Sequence, residues 1–210
     1  MNKIVWNDEP KVFTIDNFIT DIEKLHFMKL GLPQVQASVV SDDKGGYISG
    51  GRTSKTAWIK KDNDEIVLGV AKRIAELIEY PIENAEAFQF VSYDENGEYR
   101  QHYDSWENNG SEKTLRCVKY GGPRMITTLI YLNKVSDGGE TTFTKLNINV
   151  KPDSGKLLVF ENTCRDSIDR HPLSEHAGMP VKKGRKFILN LWFRHKNTGK
   201  LYSETNPDYY

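Results

Sequence analysis

A histidine and an aspartate stand one residue apart in the stretch YRQHYDSW, at His102 and Asp104. In an extended segment, alternate side chains project to the same face, so this pair could share one metal ion. The His-x-Asp pattern also arises by chance, and a hydrogen-bonded surface pair is the simpler interpretation of these two residues alone. A metal site therefore requires a third ligand from another part of the chain.

The segment KFILNLWFR, residues 186–194, supplies a second chemical signal. If it is a strand, one face carries Lys186, Ile188, Asn190 and Trp192. The other face carries only apolar side chains, namely Phe187, Leu189, Leu191 and Phe193, which predicts a cover of helices. The first face turns a lysine toward the interior of a β-barrel. A buried lysine is costly unless it meets an anion, so this strand predicts an anionic ligand.

Four further histidines are candidates for the third ligand. His171 and His176 lie shortly before the turn PVKKG, and His176 precedes Lys186 by ten residues. His26 falls in a helical segment and His195 follows the last strand, so both are interpreted as structural or solvated.

These motifs, taken in order, resemble those of the prolyl 4-hydroxylases, a group within the iron(II) and 2-oxoglutarate-dependent dioxygenases. The resemblance is to the small single-domain enzymes of viruses, bacteria and algae. The motifs that carry it are RTS at 52–54, Y-x8-H-x-D from Tyr93 to Asp104, an arginine (Arg124) before a strand ending in YLN at 131–133, GGET at 138–141, and H-A-G-x-P-V-x-x-G-x-K at 176–186 with Trp192 six residues on.

The resemblance implies a role for each matching residue. His102, Asp104 and His176 would be the catalytic metal ligands, two histidines and a carboxylate that leave three positions of an octahedral iron open. Lys186 would pair with the distal carboxylate of 2-oxoglutarate. The other side chains implied at this pocket are Tyr93 and Thr141, through their hydroxyls, and Tyr131 and Trp192, along its wall. His171 would be structural or would lie at the rim.

The resemblance also indicates a peptide groove. Tyr99 and Arg124 would lie along it. Two alternative interpretations, Tyr99 as a packed aromatic side chain and Arg124 as a surface cation, explain these residues nearly as well. Tyr99 has the opposite strand parity to His102, so it needs a bulge or a rim position to approach the site. The loop residues Arg52, Thr53 and Ser54 match a segment that closes over the peptide, and Trp106 would stack on a proline ring or simply pack.

The function implied is that of a peptidyl-proline 4-hydroxylase, resembling procollagen-proline 4-dioxygenase. It would couple conversion of 2-oxoglutarate to succinate and CO2 with hydroxylation of a proline-rich peptide or protein. The implied cofactors are Fe(2+), 2-oxoglutarate and O2 as co-substrates, and L-ascorbate. The alternatives are an oxygenase of the same type that acts on another protein side chain or on nucleic acid, a non-catalytic metal-binding jelly-roll module, and an ordinary β-sandwich.

Two amphipathic helices are predicted near the start of the chain. In DNFITDIEKLHFMKL the apolar stripe contains Phe18, Ile22, Leu25 and either Met28 or Lys29, with Asp16 as the N-cap. In NDEIVLGVAKRIAELIEY the stripe contains Ile66, Val67, Val70, Ile74, Leu77 and Ile78. Asp62 and Glu65 resemble a capping box there. Between the helices, SDDKGGYISGGRTSKT predicts an exposed, mobile loop.

From residue 86 onward the apolar period changes to two, which predicts strands. AFQFVSY and EYRQHYD flank the turn DENG as in a hairpin, and TFTKLNINV is predicted as one strand. The fold class expected is mainly β with flanking helices (α+β), a jelly-roll core with amino-terminal helices packed on one sheet. We expect a single domain over 1–210, with a helical front and mobile loop in 1–85 and the catalytic core in 86–196.

Composition narrows the remaining classes. The chain has 29 basic and 29 acidic residues among 210, so no overall field favours nucleic acid. No apolar run is long enough to span a bilayer, and the start MNKIVWNDEP lacks the apolar core of a secretory signal. We therefore expect a soluble, cytoplasmic monomer with no membrane partner. Cys117 and Cys164 are interpreted as free thiols, with one disulfide as the alternative.

Overall fold

The computed structural model describes residues 2–42 and 45–199, which form a mainly β architecture with three α-helices. The helices are α1 (Asp21–Gly31), α2 (Glu65–Leu77) and α3 (Glu112–Val118). The strands are β1 (Lys3–Asp8), β2 (Lys11–Ile15), β3 (Gln36–Ala37), β4 (Val40–Asp42), β5 (Gly45–Tyr47), β6 (Lys55–Ile59), β7 (Phe88–Tyr93), β8 (Tyr99–His102), β9 (Arg124–Tyr131), β10 (Asp137–Gly138), β11 (Thr141–Phe143), β12 (Ile148–Val150), β13 (Leu157–Glu161), β14 (His176–Gly178), β15 (Val181–Lys183) and β16 (Lys186–Arg194).

Two sheets make the barrel. The large sheet has the strand order β1-β2-β13-β9-β16-β7-β6-β3, and the small sheet has the order β12-β11-β14-β8. Every pairing in both sheets is antiparallel. Apolar side chains from both sheets, such as Tyr131 and Leu158 from the large one and Phe143 from the small one, pack into one cluster between them. The predicted jelly-roll fold class is confirmed.

The other face of the large sheet is covered by helices, as the apolar face of β16 predicts. Leu189, Leu191 and Phe193 are fully buried in a second cluster that includes side chains of α1 and α2. The remaining face of β16 turns Lys186 and Ile188 into the barrel, where both are buried. The alternation along this strand therefore decides which side chains can reach the site.

Helix α2 forms at the predicted place with a different cap. Asp64, not Asp62, is the N-cap, and its carboxylate accepts hydrogen bonds from the backbone N–H groups of Ile66 and Val67. Val67, Val70, Ala71, Ile74 and Ala75 are buried. The apolar stripe therefore predicted the helix and most of its packed face, although Ile66 remains exposed.

Helix α1 differs from the prediction in both its start and its packed face. Thr20 is the N-cap and forms a reciprocal capping box with Glu23, so the predicted cap at Asp16 was wrong. Ile22 and Leu25 are 73% and 70% exposed, whereas Phe27 is buried. The N-cap lies four residues later than predicted, and the buried face of the helix carries Phe27 and Gly31 instead of the assumed stripe.

The predicted hairpin around DENG is also wrong. Strands β7 and β8 flank that turn, but β7 belongs to the large sheet and β8 to the small one. The chain therefore crosses between sheets there. The segment predicted as one strand, TFTKLNINV, is a tight hairpin of β11 and β12, which Asn147 enables by adopting a left-handed backbone with φ of 54°.

The front of the chain contributes strands as well as helices, because β1, β2, β3 and β6 all join the large sheet. The segment predicted as a mobile loop contains the β4–β5 hairpin, and residues 43–44 of it lie outside the described residues. Cys117 and Cys164 are free, as predicted. No helix in the described part of the chain is long and apolar enough to cross a membrane.

Candidate active site

The three candidate metal ligands meet on the inner face of the small sheet. His102 ends β8 and His176 begins β14, and the two residues are direct partners across this strand pair. Asp104 follows β8 and lies between the two rings. Its Oδ1 is 3.6 Å from His102 Nε2, and its Oδ2 is 3.7 Å from His176 Nε2. One ligand atom from each residue lies within 4.8 Å of the others, which is a compact set for one metal ion.

Both histidine rings present the same nitrogen to this cluster. His102 Nδ1 donates to the Arg100 carbonyl at 2.7 Å, and His176 Nδ1 donates to the Ser174 carbonyl at 3.0 Å. A carbonyl can only accept, so the hydrogen sits on Nδ1 and the lone pair of each ring is on Nε2. A hydrogen bond from Nδ1 to a carbonyl is the usual way in which a metal-binding imidazole is oriented.

Asp104 is buried and held by two donors from the large sheet. Its Oδ2 accepts the Thr127 hydroxyl at 2.7 Å and the indole N–H of Trp192 at 3.0 Å. Burial alone raises the pKa of a carboxyl group, but the rings of His176 and His102 and the Arg124 guanidinium bring the pKa of Asp104 well below its usual range. Asp104 is therefore ionised, as a carboxylate that binds a metal must be.

His176 is buried at 6% exposure among Phe143 and Phe160. Burial, helped by the neighbouring His102, lowers the pKa of His176 to about 4. The ring is therefore neutral near pH 7 and keeps the lone pair that a metal requires.

Lys186 lies at the deep end of the same cavity and is 2% exposed. Its Nζ lies 5.2 Å from the centroid of the Tyr93 ring and 5.6 Å from that of Tyr131, and among the described residues it has no ion-pair partner. Burial lowers the pKa of Lys186 to about 7, and the charge of Glu140 opposes this shift. This end of the cavity is therefore suited to an anion.

A hydroxyl pair lies beside the lysine. The Tyr131 hydroxyl donates to Thr141 Oγ1 at 2.7 Å, and both residues are buried. Because Thr141 accepts this bond, its own hydrogen is directed elsewhere. Tyr93 is also buried, but its hydroxyl bonds to that of Ser54, and it presents its ring to Lys186 Nζ.

Trp192 lies beside Asp104, at the other end of β16 from Lys186. It lies six residues along β16 from Lys186, roughly 20 Å at the rise of a strand. Its indole N–H is bound to Asp104, and its ring stacks on the Arg124 guanidinium at 3.6 Å. Trp192 therefore supports Asp104, and it also lines the same cavity as Lys186.

Tyr99 reaches the site through a bulge. The register of β8 against β14 shifts between the pairs His176–His102 and Gly178–Tyr99, so three steps on β8 face two on β14. The extra residue turns the Tyr99 ring onto His102, with centroids 3.5 Å apart and planes 17° apart. The parity conflict noted in the sequence is resolved in this way.

The RTS loop residues are divided between the wall and the surface. Arg52 is 9% exposed, donates to Gln89 Oε1 at 3.0 Å and lies over the Tyr99 ring at 4.8 Å. Ser54 is buried against Ser38, whereas Thr53 is exposed and accepts the backbone N–H of Glu98. The loop is thus bonded to β7 and to the start of β8.

Arg124 and Trp106 lie together at the opposite rim. Arg124 donates two bonds, at 2.7 and 2.9 Å, to Glu86, which is fully buried and also accepts from Arg194 at 2.6 Å. The Trp106 ring lies 5.3 Å from the Arg124 guanidinium and 5.0 Å from that of Arg194. Arg124 is therefore not a free surface cation.

One cavity of about 1150 Å³ joins these parts. Lys186 and Thr141 line its deep end, the three metal-ligand candidates lie along it, and Tyr99 and Trp106 line its mouth. A small dianion and an extended peptide could therefore reach the same metal from opposite ends.

Comparison with known proteins identifies the family. The sequence model of the "2OG-Fe(II) oxygenase superfamily" matches residues 88–194, just over half of the chain. The chain belongs to this superfamily. A protein of Acanthamoeba polyphaga mimivirus provisionally named prolyl 4-hydroxylase is 36% identical over 90% of this chain and 77% of its own length. Prolyl 4-hydroxylase 5 of Arabidopsis thaliana is 33% identical over 88% of this chain and 68% of its own.

Solved structures of this superfamily have the same fold. The viral collagen prolyl hydroxylase of Paramecium Bursaria Chlorella virus-1, solved with 2-oxoglutarate, superposes with a TM-score of 0.69 at 24% identity, over 87% of this chain and 95% of that one. A prolyl hydroxylase of Trichoplax adhaerens, solved with a hypoxia inducible factor peptide fragment, gives 0.62 at 18% identity, over 94% and 89%. The relatives and the neighbours are thus prolyl hydroxylases of this oxygenase superfamily.

Sequence reasoning missed the residues of this oxygenase site that hold others in place. Thr127 shares its strand face with Tyr131, so strand parity could have predicted its inward orientation. Gln89 and Glu86, which hold Arg52 and Arg124, carry no motif of their own. A fully buried glutamate is unusual without a cationic partner, but burial cannot be read from the sequence at that position.

Proposed function

We propose that this protein is a peptidyl-proline 4-hydroxylase that uses iron(II), 2-oxoglutarate and dioxygen. The observation that carries the proposal is the presence, in one cavity, of a two-histidine, one-carboxylate cluster and a buried lysine that has no ion-pair partner among the described residues. The first suits non-haem iron(II), and the second suits an anionic co-substrate beside it. The prolyl 4-hydroxylase names of the relatives support the choice of reaction.

His102, Asp104 and His176 would hold the iron. The fit is supported by the donor set itself, because both imidazoles offer Nε2 and the buried carboxylate is ionised. Three ligands on one side of an octahedral ion leave the other side open to the co-substrates.

Lys186 would bind the distal carboxylate of 2-oxoglutarate, with Thr141 donating the hydrogen that Tyr131 leaves free. The bound carboxylate would then pair with a buried cation that otherwise has no ion-pair partner among the described residues. The free energy of binding would therefore include the recovery of part of the cost of burying that charge. Tyr93 and Tyr131 would limit the width of the pocket with their rings.

Bound iron with 2-oxoglutarate and dioxygen supplies the oxidising power for hydroxylation of a C–H bond, with release of succinate and CO2. Ascorbate is included in the proposal as the reductant that keeps the iron in its divalent state. The chain's own residues orient these groups and bring the proline carbon to the open side of the metal.

The target peptide would enter at the mouth of the cavity. Tyr99 and Trp106 offer aromatic surfaces to a proline ring, and the guanidinium of Arg52 lies behind Tyr99. Extended proline-rich segments dock on aromatic-lined grooves in other protein families. Thr53, Ser54 and Arg124 would contribute to the walls of this groove.

The test is succinate formation by the purified protein with iron(II), ascorbate and 2-oxoglutarate, with and without a proline-rich peptide. We expect the peptide to stimulate turnover and to gain about 16 Da on proline, the mass of one oxygen atom added by this chemistry. His102→Ala is expected to abolish turnover, and Lys186→Ala to retain it only at raised 2-oxoglutarate.

Three other outcomes would each select a different function. Succinate formation that ignores proline peptides, but responds to another protein or to a nucleic acid strand, would retain the oxygenase and reject proline as the target. Iron binding without any succinate would favour a non-catalytic module. Failure to bind iron at all would reject the proposal.

A further inference from the structure

A chain of buried hydrogen bonds leads from Asn162 to Asp104. Asn162 Nδ2 donates to Thr127 Oγ1 at 2.8 Å, and Thr127 Oγ1 donates to Asp104 Oδ2 at 2.7 Å. The exposed fractions are 0% for Asn162, 1% for Thr127 and 9% for Asp104. None of the motifs in the sequence includes Asn162 or Thr127, and neither residue could touch the metal itself.

The donor and acceptor roles in these two hydrogen bonds follow from the chemistry of the groups. The carboxylate of Asp104 can only accept, so the single hydroxyl hydrogen of Thr127 must point toward it. Thr127 Oγ1 can then only accept from Asn162, which requires the amide nitrogen of Asn162 to face it. If the amide were reversed, its oxygen would draw the hydroxyl hydrogen away from Asp104.

The carboxylate of Asp104 is therefore held asymmetrically. Oδ2 accepts two donors, the Thr127 hydroxyl and the Trp192 indole N–H, and lies 3.7 Å from His176 Nε2, while Oδ1 lies 3.6 Å from His102 Nε2. A carboxylate whose second oxygen is engaged in this way offers one oxygen to a metal. The hydrogen bonds on Oδ2 thus favour monodentate ligation through Oδ1, which keeps a further metal position open for a co-substrate.

The backbone of Asn162 reaches a second ligand. Its carbonyl accepts the backbone N–H of His171 at 2.8 Å, and the His171 carbonyl accepts the Ser174 hydroxyl at 2.8 Å. The Ser174 carbonyl in turn accepts Nδ1–H of His176 at 3.0 Å. One residue after β13 therefore connects the supports of two candidate ligands that lie on different segments of the chain.

We infer that Asn162, acting through the Thr127 hydroxyl, is a positioning residue that fixes Asp104 in its monodentate metal-binding orientation and couples it to the turn that orients His176. This inference rests on the proposed function, because it takes Asp104 and His176 as ligands of one metal ion. It adds two residues that set metal affinity and coordination number without touching the metal.

The test compares four variants of the full chain by calorimetric titration with Co(II). Thr127→Val removes the hydroxyl that links Asn162 to Asp104. Asn162→Ala removes the amide that donates to Thr127, and Thr127→Ser retains a hydroxyl at position 127. Thr128→Val is the matched control, since Thr128 is equally buried on the same strand and donates its hydroxyl to the Leu191 carbonyl at 2.9 Å. The visible spectrum of bound Co(II) and the melting temperature of the metal-free protein are recorded for each.

We expect Thr127→Val to weaken Co(II) binding by roughly 10–100-fold and Asn162→Ala by about 10-fold, the range typical of groups that orient metal ligands. Both should shift the Co(II) spectrum toward a higher coordination number. Thr127→Ser and Thr128→Val should retain the affinity and spectrum of the parent protein, although Thr128→Val should lose as much thermal stability as Thr127→Val.

The inference is overturned if Thr127→Val affects Co(II) no more than Thr128→Val does. A normal spectrum and affinity in Asn162→Ala would show that Asn162 does not position Asp104. If Thr127→Val does not fold, Asn162→Ala alone tests the inference. A parent protein that binds no Co(II) would instead reject the proposed function.

Discussion

The two ends of the cavity are built differently. At the deep end, Lys186, Tyr131 and Thr141 are no more than 2% exposed, and the hydroxyls of Tyr131 and Thr141 are already bonded to each other. At the mouth, Tyr99 and Trp106 are only half-buried and present ring faces. The deep end is thus built for one small anion, and the mouth offers aromatic surface that can accept varied sequences.

The charges at the two ends differ in the same way. Lys186 has no ion-pair partner among the described residues, whereas Arg124 and Arg194 at the mouth share the buried carboxylate of Glu86. An uncompensated cation gains most from an anionic ligand, and a compensated one mainly shapes the wall. We therefore expect changes at the deep end to alter co-substrate binding strongly, and changes at the mouth to alter peptide binding modestly.

The largest expected effect comes from the metal ligands that separate the two ends. His176→Ala should lower turnover by on the order of 10³-fold or more, since a ligand contributes more than the 10–100-fold of the groups that orient it. Calorimetric titration with iron(II) or Co(II) measures the accompanying loss of metal affinity. His171→Ala is the control, because His171 is also buried but accepts a backbone N–H through Nδ1. Equal losses in both variants would contradict the ligand assignment.

Removal of the buried cation should have the next largest effect. Lys186→Met should raise the KM for 2-oxoglutarate by roughly 100-fold or more, in line with the loss of one partner from a buried charge pair. The KM for the peptide should change little. A similar rise in both constants would show that the two ends do not act separately.

The same variant tests the cost of burying the lysine. The pKa of Lys186 is about 7 in the folded protein and 10.5 for an ordinary lysine, so the unfolded chain binds the proton more tightly. The penalty is fully present below about pH 7 and fades as pH rises toward 10.5. Lys186→Met should therefore melt above the parent at pH 6, and the gap should narrow by pH 9. A gap that does not depend on pH would contradict the assigned pKa.

The sequence predicted the deep end better than the mouth. Lys186 could be predicted because alternation along β16 puts it on the barrel face opposite Leu189 and Leu191, and strand parity survives folding. Tyr99 could be placed at the mouth only through the family resemblance, because a bulge changes the parity of β8. The partner of Arg124 was equally hidden, since the carboxylate of Glu86 comes from before β7 and meets it only in the folded barrel.

Local signals also failed where tertiary contacts overrode them. The turn DENG has the composition of a hairpin, yet β7 and β8 belong to opposite sheets, because each strand pairs with a distant segment instead. Asn162 has the same strand parity as the inward-facing Leu158 and Phe160, so its inward orientation could have been predicted from the sequence. Its bond to Thr127 depends on the pairing of β13 with β9, which no local pattern specifies.

Proton uptake on 2-oxoglutarate binding is a smaller expected effect at the deep end of the cavity. Since the pKa of Lys186 is about 7, part of the population is neutral at pH 8, and a bound carboxylate raises that pKa again. Binding of 2-oxoglutarate should then take up a fraction of a proton at pH 8 and weaken as pH rises above 7. Calorimetry in two buffers of different ionisation enthalpy measures this uptake. Lys186→Arg, which stays charged, should show none, and uptake in that variant would assign the proton to another group.

The smallest expected effect lies at the mouth. Trp106→Ala should raise the KM for a proline-rich peptide by roughly tenfold, as expected for the loss of one aromatic contact at the edge of an interface. The KM for 2-oxoglutarate and the affinity for metal should stay unchanged, because Trp106 contacts the guanidinium groups of Arg124 and Arg194 and not the deep end. Trp106→Phe retains an aromatic face and should recover most of the loss. If instead Trp106→Ala weakens 2-oxoglutarate binding as much as peptide binding, the Glu86–Arg124–Trp192 contacts transmit the change to Asp104, and the mouth is part of the metal centre's support.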